Sequence, residues 1–294
     1  MIDATAGRSI PTRPEFIREN IQTNDFGVVE KPLSAWERLY DITALRKAVI
    51  LIALALGWQV YAYFLNNDLL VPTLSSTLHA LWDAFASGVL PRRIAYTLKV
   101  LLLGYAWGLL IAAILTAVAM GSRIGQDLLE TLTSMFNPLP AIALLPLTLI
   151  WFGLGNSSLI FILIHSVLWS VALNTHSGFK SVSQTMRMVG RNYGLTGFRY
   201  IAQILIPAAF PSILTGLKIG WAFAWRTLIA AELVFGVSSG GGGLGWFIFE
   251  SKNQLEIPSV FAGLLCIVII GLIVENLIFR FIEERTVRRW GMQN

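Results

Sequence analysis

Charged residues are scarce in this chain of 294 residues. Asp, Glu, Lys and Arg together make up 13% of it, against roughly 25% in an ordinary soluble domain. Hydrophobic residues make up 55%, and the mean hydropathy is +0.66. Because a chain with so few charges cannot cover its surface with polar groups, the composition predicts a polytopic membrane protein rather than a soluble domain.

Cysteine and histidine are also rare, which excludes several kinds of chemistry. The single cysteine, Cys266, lies inside an apolar run, so neither a disulfide framework nor a cysteine metal site is expected. His165 and His176 are too isolated to form a metal site, and we expect none. No Gly-Lys dipeptide occurs, hence no phosphate-binding P-loop, so energy from ATP has to come from another polypeptide.

Long apolar runs are what the chain does have. A hydrocarbon core of about 30 Å requires roughly 20 residues of helix. Six runs qualify: 48–65, 97–120, 137–153, 157–176, 209–236 and 260–279. The third is short and contains Pro138, Pro140 and Pro146, so we expect it inside a bundle, where neighbouring helices satisfy the carbonyls that proline frees. The prediction is an all-α membrane protein with about six transmembrane helices.

The distribution of basic residues predicts the orientation of these spans. With the N-terminus in the cytoplasm, the inside segments contain sixteen Lys and Arg residues and the outside segments contain four. Because basic residues concentrate in cytoplasmic loops, both termini are expected there. Residues 1–47 then form a cytoplasmic arm and 48–290 the transmembrane domain. An interfacial helix around 33–45 and a disordered tail both remain open for the arm.

Two further segments have apolar residues at helical spacing outside the long runs. Residues 74–85 predict an amphipathic helix on the periplasmic face, and residues 123–136 predict another on the cytoplasmic side.

A polar, glycine-containing loop separates the fourth and fifth runs. It contains Gly194, then nine residues, then Ile204, Ile206 and Pro207. This loop resembles the signature loop of ABC-importer permeases, E-A-A-x3-G-x9-I-x-L-P. The loop departs from that pattern at two places. Residues 188–190 are Met-Val-Gly instead of Glu-Ala-Ala, and Ile206 stands where the pattern has leucine.

Other segments resemble the nitrate, sulfonate, taurine and bicarbonate branch of the same family, and together they cover about residues 48–290. They are 137–146 (NPLPAIALLP), 151–155 (WFGLG), 173–175 with Gly178, 215–218 (TGLK), 230–232 (AAE), 243–246 (GLGW) and 288–290 (RRW).

The resemblance implies the fold of a type I ABC-importer permease and a place in the bacterial inner membrane. It implies four kinds of contact: two ABC ATPase subunits, a second permease copy in a homodimer, a periplasmic or lipid-anchored solute-binding protein, and membrane lipid, with no nucleic acid. No cofactor is expected on this chain, because ATP and Mg²⁺ would be bound by the ATPase. The chain would be a transport subunit rather than an enzyme, and would pass a small anion by alternating access.

The loop is expected to dock into a groove on the ATPase. Gly194 can adopt a positive φ and let two short helices meet at an angle, and Pro207 suits the first turn of the fifth span. An ordinary interhelical loop is the alternative. The expected coupling residues are Met186, Met188, Val189, Gly190, Tyr193, Gly194, Leu195, Ile204 and Pro207.

Ionisable groups within a span suggest function. Arg226 is expected at a depth near His165 and Trp169, where it would face the translocation pathway and attract an anion; the alternative is that it only fixes packing. With these three, Glu232 and Asn137 complete the expected pathway residues. Lys218 and Glu275 are expected at similar depth, as a structural pair or as snorkelling ends.

Two other classes of protein compete with this interpretation. Residues 236–240 match G-x-S-x-G, the nucleophile motif of hydrolases, but no histidine lies in either of the last two runs. A channel or secondary transporter is the third possibility, although no inverted repeat is visible. The glycine-rich turn 238–245 could be a gate, a contact for the binding protein or a plain loop.

Overall fold

The computed structural model describes residues 37, 40–235 and 242–289. The chain forms two compact units, Met1–Leu54 and Ala55–Asn294. Residues 1–36, 38 and 39 lie outside the described part, so the cytoplasmic arm and its interfacial helix stay predictions. Within the first unit, the Arg46 guanidinium stacks on the Tyr40 ring at 5.3 Å and donates to the Tyr40 carbonyl oxygen, close to where the first long helix begins.

All regular elements in the described ranges are helical. They are α1 (Thr43–Leu65), α2 (Leu74–Ala86), α3 (Val89–Gly121), α4 (Arg123–Phe136), a 3-10 helix (Ala141–Leu144), α5 (Leu145–Phe152), α6 (Asn156–Ser181), α7 (Gln184–Asn192), α8 (Gly197–Tyr200), a π-helical segment (Ile201–Leu205), α9 (Ile206–Phe235), α10 (Leu244–Asn253), α11 (Ile257–Ile273), a second π-helical segment (Val274–Phe279), α12 (Arg280–Glu283) and a third π-helical segment (Glu284–Arg288).

The predicted spans are found with shifted ends. Five helices of the described chain are long and apolar enough to cross a membrane, and a bent pair, α4 with residues 141–152, makes a sixth if it counts as one span. The 86° bend of this pair falls at the Asn137–Pro140 segment, where proline interrupts the helix. The all-α prediction with about six spans is confirmed, as are the helices expected over 74–85 and 123–136.

The third apolar run differs from its prediction. We expected residues 137–153 to be enclosed by other helices, yet the single chain leaves the Ile150 side chain 77% exposed and Trp151 exposed beside it. The reason is that α5 is short and buries only Leu145 and Thr148. The expectation of enclosure is therefore wrong for one copy of the chain.

Helix α6 is the central helix of the second unit, and glycines let its neighbours approach closely. On α3, a Cβ added to Gly104 would lie 2.5 Å from the Cβ of Leu163. On α9, a Cβ added to Gly216 would lie 2.8 Å from the Cβ of Asn174. Each glycine begins a G-x-x-x-G pattern, the spacing that allows membrane helices to pack with their backbones in contact.

One ion pair differs from its prediction. Lys218 of α9 pairs with Glu283 of α12, with 2.6 Å between Nζ and Oε2, rather than with Glu275. The last span runs on as a continuous helix to Arg288, which brings Glu283 within reach of Lys218. The structural interpretation of Lys218 stands with a different partner.

Candidate functional site

The first candidate surface is α7, a short helix directly after the central helix α6. Ser183 caps it by accepting a hydrogen bond from the backbone N–H of Met186 at 3.4 Å. The side chains of Met186, Met188, Val189 and Tyr193 are exposed. Three of these, Met186, Val189 and Tyr193, recur at helical spacing on one side, so α7 presents an apolar stripe to its surroundings.

Gly194 terminates α7 with a φ of +70°, a conformation that costs other residues steric energy. Its N–H bonds to the carbonyl of Arg191 at 2.9 Å, and the N–H of Leu195 bonds to the carbonyl of Gly190 at 3.1 Å. This pair of bonds is the Schellman motif, which satisfies the last carbonyls of a helix. The chain then turns, and α8 begins at Gly197.

Arg187 fixes α7 to the end of α6. Its Nη2 donates to the carbonyl of Phe179 at 2.6 Å and its Nε to the carbonyl of Val182 at 3.1 Å. On the inner side of α7, Gly190 is buried, and a Cβ there would come within 2.9 Å of Ile204 and closer still to Tyr200. Arg187 and Tyr200 were not predicted as site residues, although a basic residue after an apolar run is a usable sequence signal.

The fifth span does not begin at Pro207. Helical residues run continuously from Gly197, through the π-helical segment Ile201–Leu205, into α9. Pro207 lacks an N–H, so the normal helical bond to the carbonyl four residues earlier is missing there, next to the π-helical segment. The expected bend is therefore confined to residues 193–197, between α7 and α8.

A cavity of about 260 Å³ lies beside the middle of α6. Its wall combines the segment at the bend between α4 and α5 with side chains of α6 and α9. The lining residues are Asn137, Pro138, Leu139, Pro140, Ala141, Ile142, His165, Ser166, Trp169, Ser170, Phe223 and Thr227. Three of the five expected pathway residues, Asn137, His165 and Trp169, are thus brought together.

Aromatic packing holds the rings of this wall. Phe136 stacks on Trp169 with centroids 5.3 Å apart and planes 14° from parallel. The His165 ring lies edge-on to both, at 6.3 Å from Phe136 and 6.1 Å from Trp169. In the same wall, the Ser166 hydroxyl donates to the Thr227 hydroxyl at 3.1 Å, which ties α6 to α9.

Arg226 and Glu232 do not line the cavity. Arg226 is exposed on α9, one residue before the lining residue Thr227, and within residues 40–235 and 242–289 it forms no ion pair. Glu232 is 2% exposed and belongs to a buried cluster near the C-terminal end of α9. Whether Arg226 faces a pathway therefore stays a prediction.

The buried cluster caps the N-terminus of α10. The hydroxyl of Thr97 donates to the Glu232 carboxylate at 2.9 Å and accepts from the N–H of Leu244 at 2.8 Å. The N–H of Gly245 donates to Glu232 at 2.9 Å. A Cβ on Gly243 would lie 2.1 Å from a Glu232 oxygen, so only glycine fits there. Two side chains from other helices satisfy the first N–H groups of α10.

The segment before α10 is only partly within the described ranges. Residues 236–241, which contain the G-x-S-x-G match and the first half of the glycine-rich turn, lie outside them. Of the remainder, the Gly242 carbonyl accepts from Arg93 at 3.3 Å, and Arg93 also pairs with Glu250 at 2.7 Å. Arg93 therefore fastens α10 to α3 next to the Thr97 cluster.

The helical spans, the exposed α7 and the cavity define a multi-pass membrane transport subunit. The family model described as "Binding-protein-dependent transport system inner membrane component" matches residues 104–288. The taurine transport system permease protein TauC of Escherichia coli is 30% identical over 76% of this chain and 82% of its own. The nitrate import permease protein NrtB of Synechocystis is 29% identical over 85% of this chain and 91% of its own.

A solved chain of the MetNI methionine ABC transporter, in an inward-facing conformation, aligns over 75% of this chain and 95% of its own, with a TM-score of 0.48 and 18% identity. From the family match and the TauC identity, the chain belongs to the binding-protein-dependent inner membrane component family and is an ABC importer permease.

The family predicted from the sequence is therefore confirmed. The predictions of an all-α fold and of a multi-pass protein of the inner membrane agree with it. Family membership also identifies the chain as a transport subunit rather than an enzyme, because the relatives are permeases and the ATPase of this family is a separate subunit. An intramembrane hydrolase is thereby excluded. The roles of the coupling and cavity residues are not decided by the comparisons.

Proposed function

We propose that this chain carries a small anionic solute from a binding protein to the cytoplasm by alternating access. Two copies would form a homodimer, with two ATPase subunits below it and a periplasmic or lipid-anchored binding protein above. ATP and Mg²⁺ bind to the ATPase, and this chain binds no cofactor of its own. Both termini and α7 lie in the cytoplasm.

The exposed helix α7 is the single observation that carries the coupling role. It is short, apolar on one side, capped at both ends and fixed to the central helix by Arg187. A helix with these properties can be inserted into a groove of another protein and transmit its displacement. Because α6 also lines the cavity, movement of α7 is connected directly to the site where solute would pass.

An anion is supported by two independent observations. The relatives TauC and NrtB are named for taurine and nitrate. In this chain, the cavity wall contains hydrogen-bond donors, and the exposed Arg226 adjoins it in sequence. The substrate assignment therefore rests on similarity and on local chemistry together.

Reconstitution tests the proposal. The permease, the ATPase and the binding protein are placed in proteoliposomes, and uptake of candidate anions is measured with and without ATP. Val189→Asp places a charge on the apolar side of α7 and is expected to lower both ATPase co-purification and uptake at least tenfold. Gln184→Asp is the matched control, because Gln184 lies on the opposite side of α7.

Equal effects of the two aspartate variants would contradict docking through the apolar side of α7. Uptake that continues without ATP would contradict the proposed function as a whole and favour a channel or a secondary transporter.

A further inference from the structure

A second cavity, of about 720 Å³, lies at the end of the membrane helices away from α7. The chain runs from α7 through α8 into α9, and near the far end of α9 the carboxylate of Glu232 is bonded to the first turn of α10. Side chains of α2, α3, α10 and the start of α11 line the second cavity. Because the proposed function places α7 in the cytoplasm, the second cavity belongs to the opposite face, where the binding protein would dock.

Negative charge predominates in the wall of the second cavity. The wall contains three carboxylates, those of Asp83, Glu250 and Glu256, and one basic side chain, that of Arg93. Arg93 pairs with Glu250, with 2.7 Å between Nη2 and Oε2, and so neutralises that carboxylate. Two acidic side chains of the wall are left over.

These two carboxylates have contacts, but no cation of fixed charge. Asp83 lies 2.8 Å from the Nδ1 atom of His79, whose charge depends on pH. Glu256 accepts a hydrogen bond from the Ser259 hydroxyl at 3.3 Å. Within the described residues, neither acid pairs with a lysine or an arginine. The cavity therefore offers negative charge that a cation from outside can meet.

Ser251 is independent evidence that the second cavity receives a ligand. It belongs to the wall and is 4% exposed, yet its hydroxyl has no hydrogen-bond partner in the part of the chain that the structure describes. Unlike the hydroxyl of Thr77, which is sealed from solvent, the Ser251 hydroxyl reaches the cavity. A polar group in so enclosed a position gains free energy when a partner enters and bonds to it.

The chemistry of the wall favours an organic cation over a metal ion. In the described ranges, no three acidic, histidine or cysteine side chains are close enough to hold a metal ion together. An ammonium or guanidinium group brings several N–H donors and can bond to separate acceptors. At about 30 Å³ for each water in the liquid, the second cavity has room for roughly 24 waters, enough for a long side chain together with solvent.

The rim of the second cavity is suited to a protein partner. Leu255 lies between two lining residues, Gln254 and Glu256, and its side chain is 67% exposed. Its φ of +60° is one that leucine rarely adopts, and two backbone hydrogen bonds at the end of α10, of 3.1 and 2.9 Å, hold it there. An apolar side chain fixed beside carboxylates matches the mixed apolar and charged chemistry of protein–protein interfaces.

We propose that the second cavity is a docking pocket that receives a lysine or arginine side chain of the solute-binding protein. The cationic group meets the carboxylates of Asp83 and Glu256 and donates to the Ser251 hydroxyl, while Leu255 packs against the surface around that side chain. The proposal rests on the proposed function and names the chemistry by which the binding protein is recognised. Since α10 is bonded to Glu232 of α9, docking is connected to the helix that leads back to α7.

Binding of the purified, solute-loaded binding protein to the permease–ATPase complex in nanodiscs tests the proposal. The double variant Asp83→Asn, Glu256→Gln keeps the size of both side chains and removes their charges. We expect it to weaken binding at least tenfold and to reduce the salt dependence of the affinity, because salt screens attraction between opposite charges. Asp68→Asn is the matched control, since Asp68 is an exposed acid of the loop before α2 that does not line the cavity.

Ser251→Ala tests the unpartnered hydroxyl separately. We expect binding to weaken about threefold, with no fall in the temperature of thermal inactivation, because this hydroxyl bonds to no other group of the described chain. A lower inactivation temperature with unchanged affinity would show that Ser251 serves the fold and not the docking pocket, and would contradict its part in the proposal.

Two outcomes would overturn the proposal as a whole. One is an affinity for the binding protein that is the same in the double variant and in the unmodified complex. The other is an equal loss in Asp68→Asn, which would mean that charge anywhere on this face has the same effect. Native mass spectrometry checks for a lipid amine: phosphatidylethanolamine that is lost from the double variant, with binding-protein affinity unchanged, would assign the cavity to lipid instead.

Failure of this proposal and failure of the proposed function give different results. At saturating binding protein, the double variant should still take up anions with ATP, because only docking is weakened. Absence of ATP-driven uptake in an unmodified complex that binds the binding protein contradicts the transport function alone. An unmodified complex that does not bind it contradicts both.

Discussion

The carboxylate of Glu232 on α9 accepts a hydrogen bond from the backbone N–H of Gly245 on α10, at 2.9 Å. A charged group in a span is often assigned to transport. Here the acid occupies a buried position whose neighbours are Thr97, Gly243 and the first turn of a helix. The first N–H groups of a helix have no partner within the helix, and this cluster satisfies two of them, so a structural role follows from the geometry.

Thr97→Val should destabilise this cluster. Valine keeps the shape of threonine but removes the hydroxyl that serves both Glu232 and the N–H of Leu244, which leaves buried polar groups without partners. We expect a loss of about 1–3 kcal/mol, measured as a lower temperature of thermal inactivation of the purified complex. Thr215→Val, at an exposed hydroxyl bonded to its own helix, should change that temperature little.

Gly104→Ala should separate α3 from α6. The added Cβ would be 2.5 Å from the Cβ of Leu163, which is fully buried and cannot move aside freely. Overpacking of this kind costs about 1–3 kcal/mol, so we expect reduced yield of folded protein in size-exclusion chromatography. Gly57→Ala offers the comparison, because a Cβ there meets nothing within 4 Å. A normal yield for both variants would show that α3 and α6 do not pack this closely.

Arg187→Met should uncouple ATP hydrolysis from uptake. The guanidinium holds α7 to the carbonyls of Phe179 and Val182, and without it α7 can move independently of α6. We expect uptake to fall at least tenfold with ATPase activity retained. Arg187→Lys should restore little, since lysine cannot reproduce the two-pronged geometry. Full uptake in both variants would mean that this anchor is not part of the coupling.

Gly194→Ala should weaken the end of α7 without filling any space. At a φ of +70° an alanine costs roughly 1–2 kcal/mol, although open space surrounds the position. Gly194→Asn should be milder, because asparagine tolerates the left-handed region. Uptake rates of the series Gly, Asn, Ala are expected to decrease in that order. An alanine variant that equals asparagine would argue against a backbone origin of the effect.

Features that depend on one short segment could be predicted from the sequence, whereas contacts between residues far apart in the sequence could not. Hydropathy located the spans because burial in lipid is a property of each segment alone. The positive φ of Gly194 was also predictable, since a helix end is encoded within a few residues. By contrast, the contact between Thr97 and Glu232 joins residues 135 positions apart, and nothing near either residue signals it.

One structural feature that was not predicted nevertheless has a recognisable sequence pattern. The glycine pairs 104 with 108 and 216 with 220 have the spacing of close helix contacts, and in the structure both pairs face α6. The cavity was anticipated only in part. His165 and Trp169 were selected from their expected depth, and Asn137 begins a segment selected for its resemblance to the family. Ser166 and Thr227 look like ordinary helix residues until their helices pack together.

The unbroken run of helix from Gly197 to Val234 contains 38 residues, about 57 Å at 1.5 Å per residue. This length is nearly twice the thickness of the hydrocarbon core of a bilayer, which is roughly 30 Å. A rod of this length, tilted by about 5° as a rigid body, displaces its far tip by about 5 Å. Small rotations near Tyr200 would thus be amplified into atomic-scale rearrangement around Phe223 and beyond.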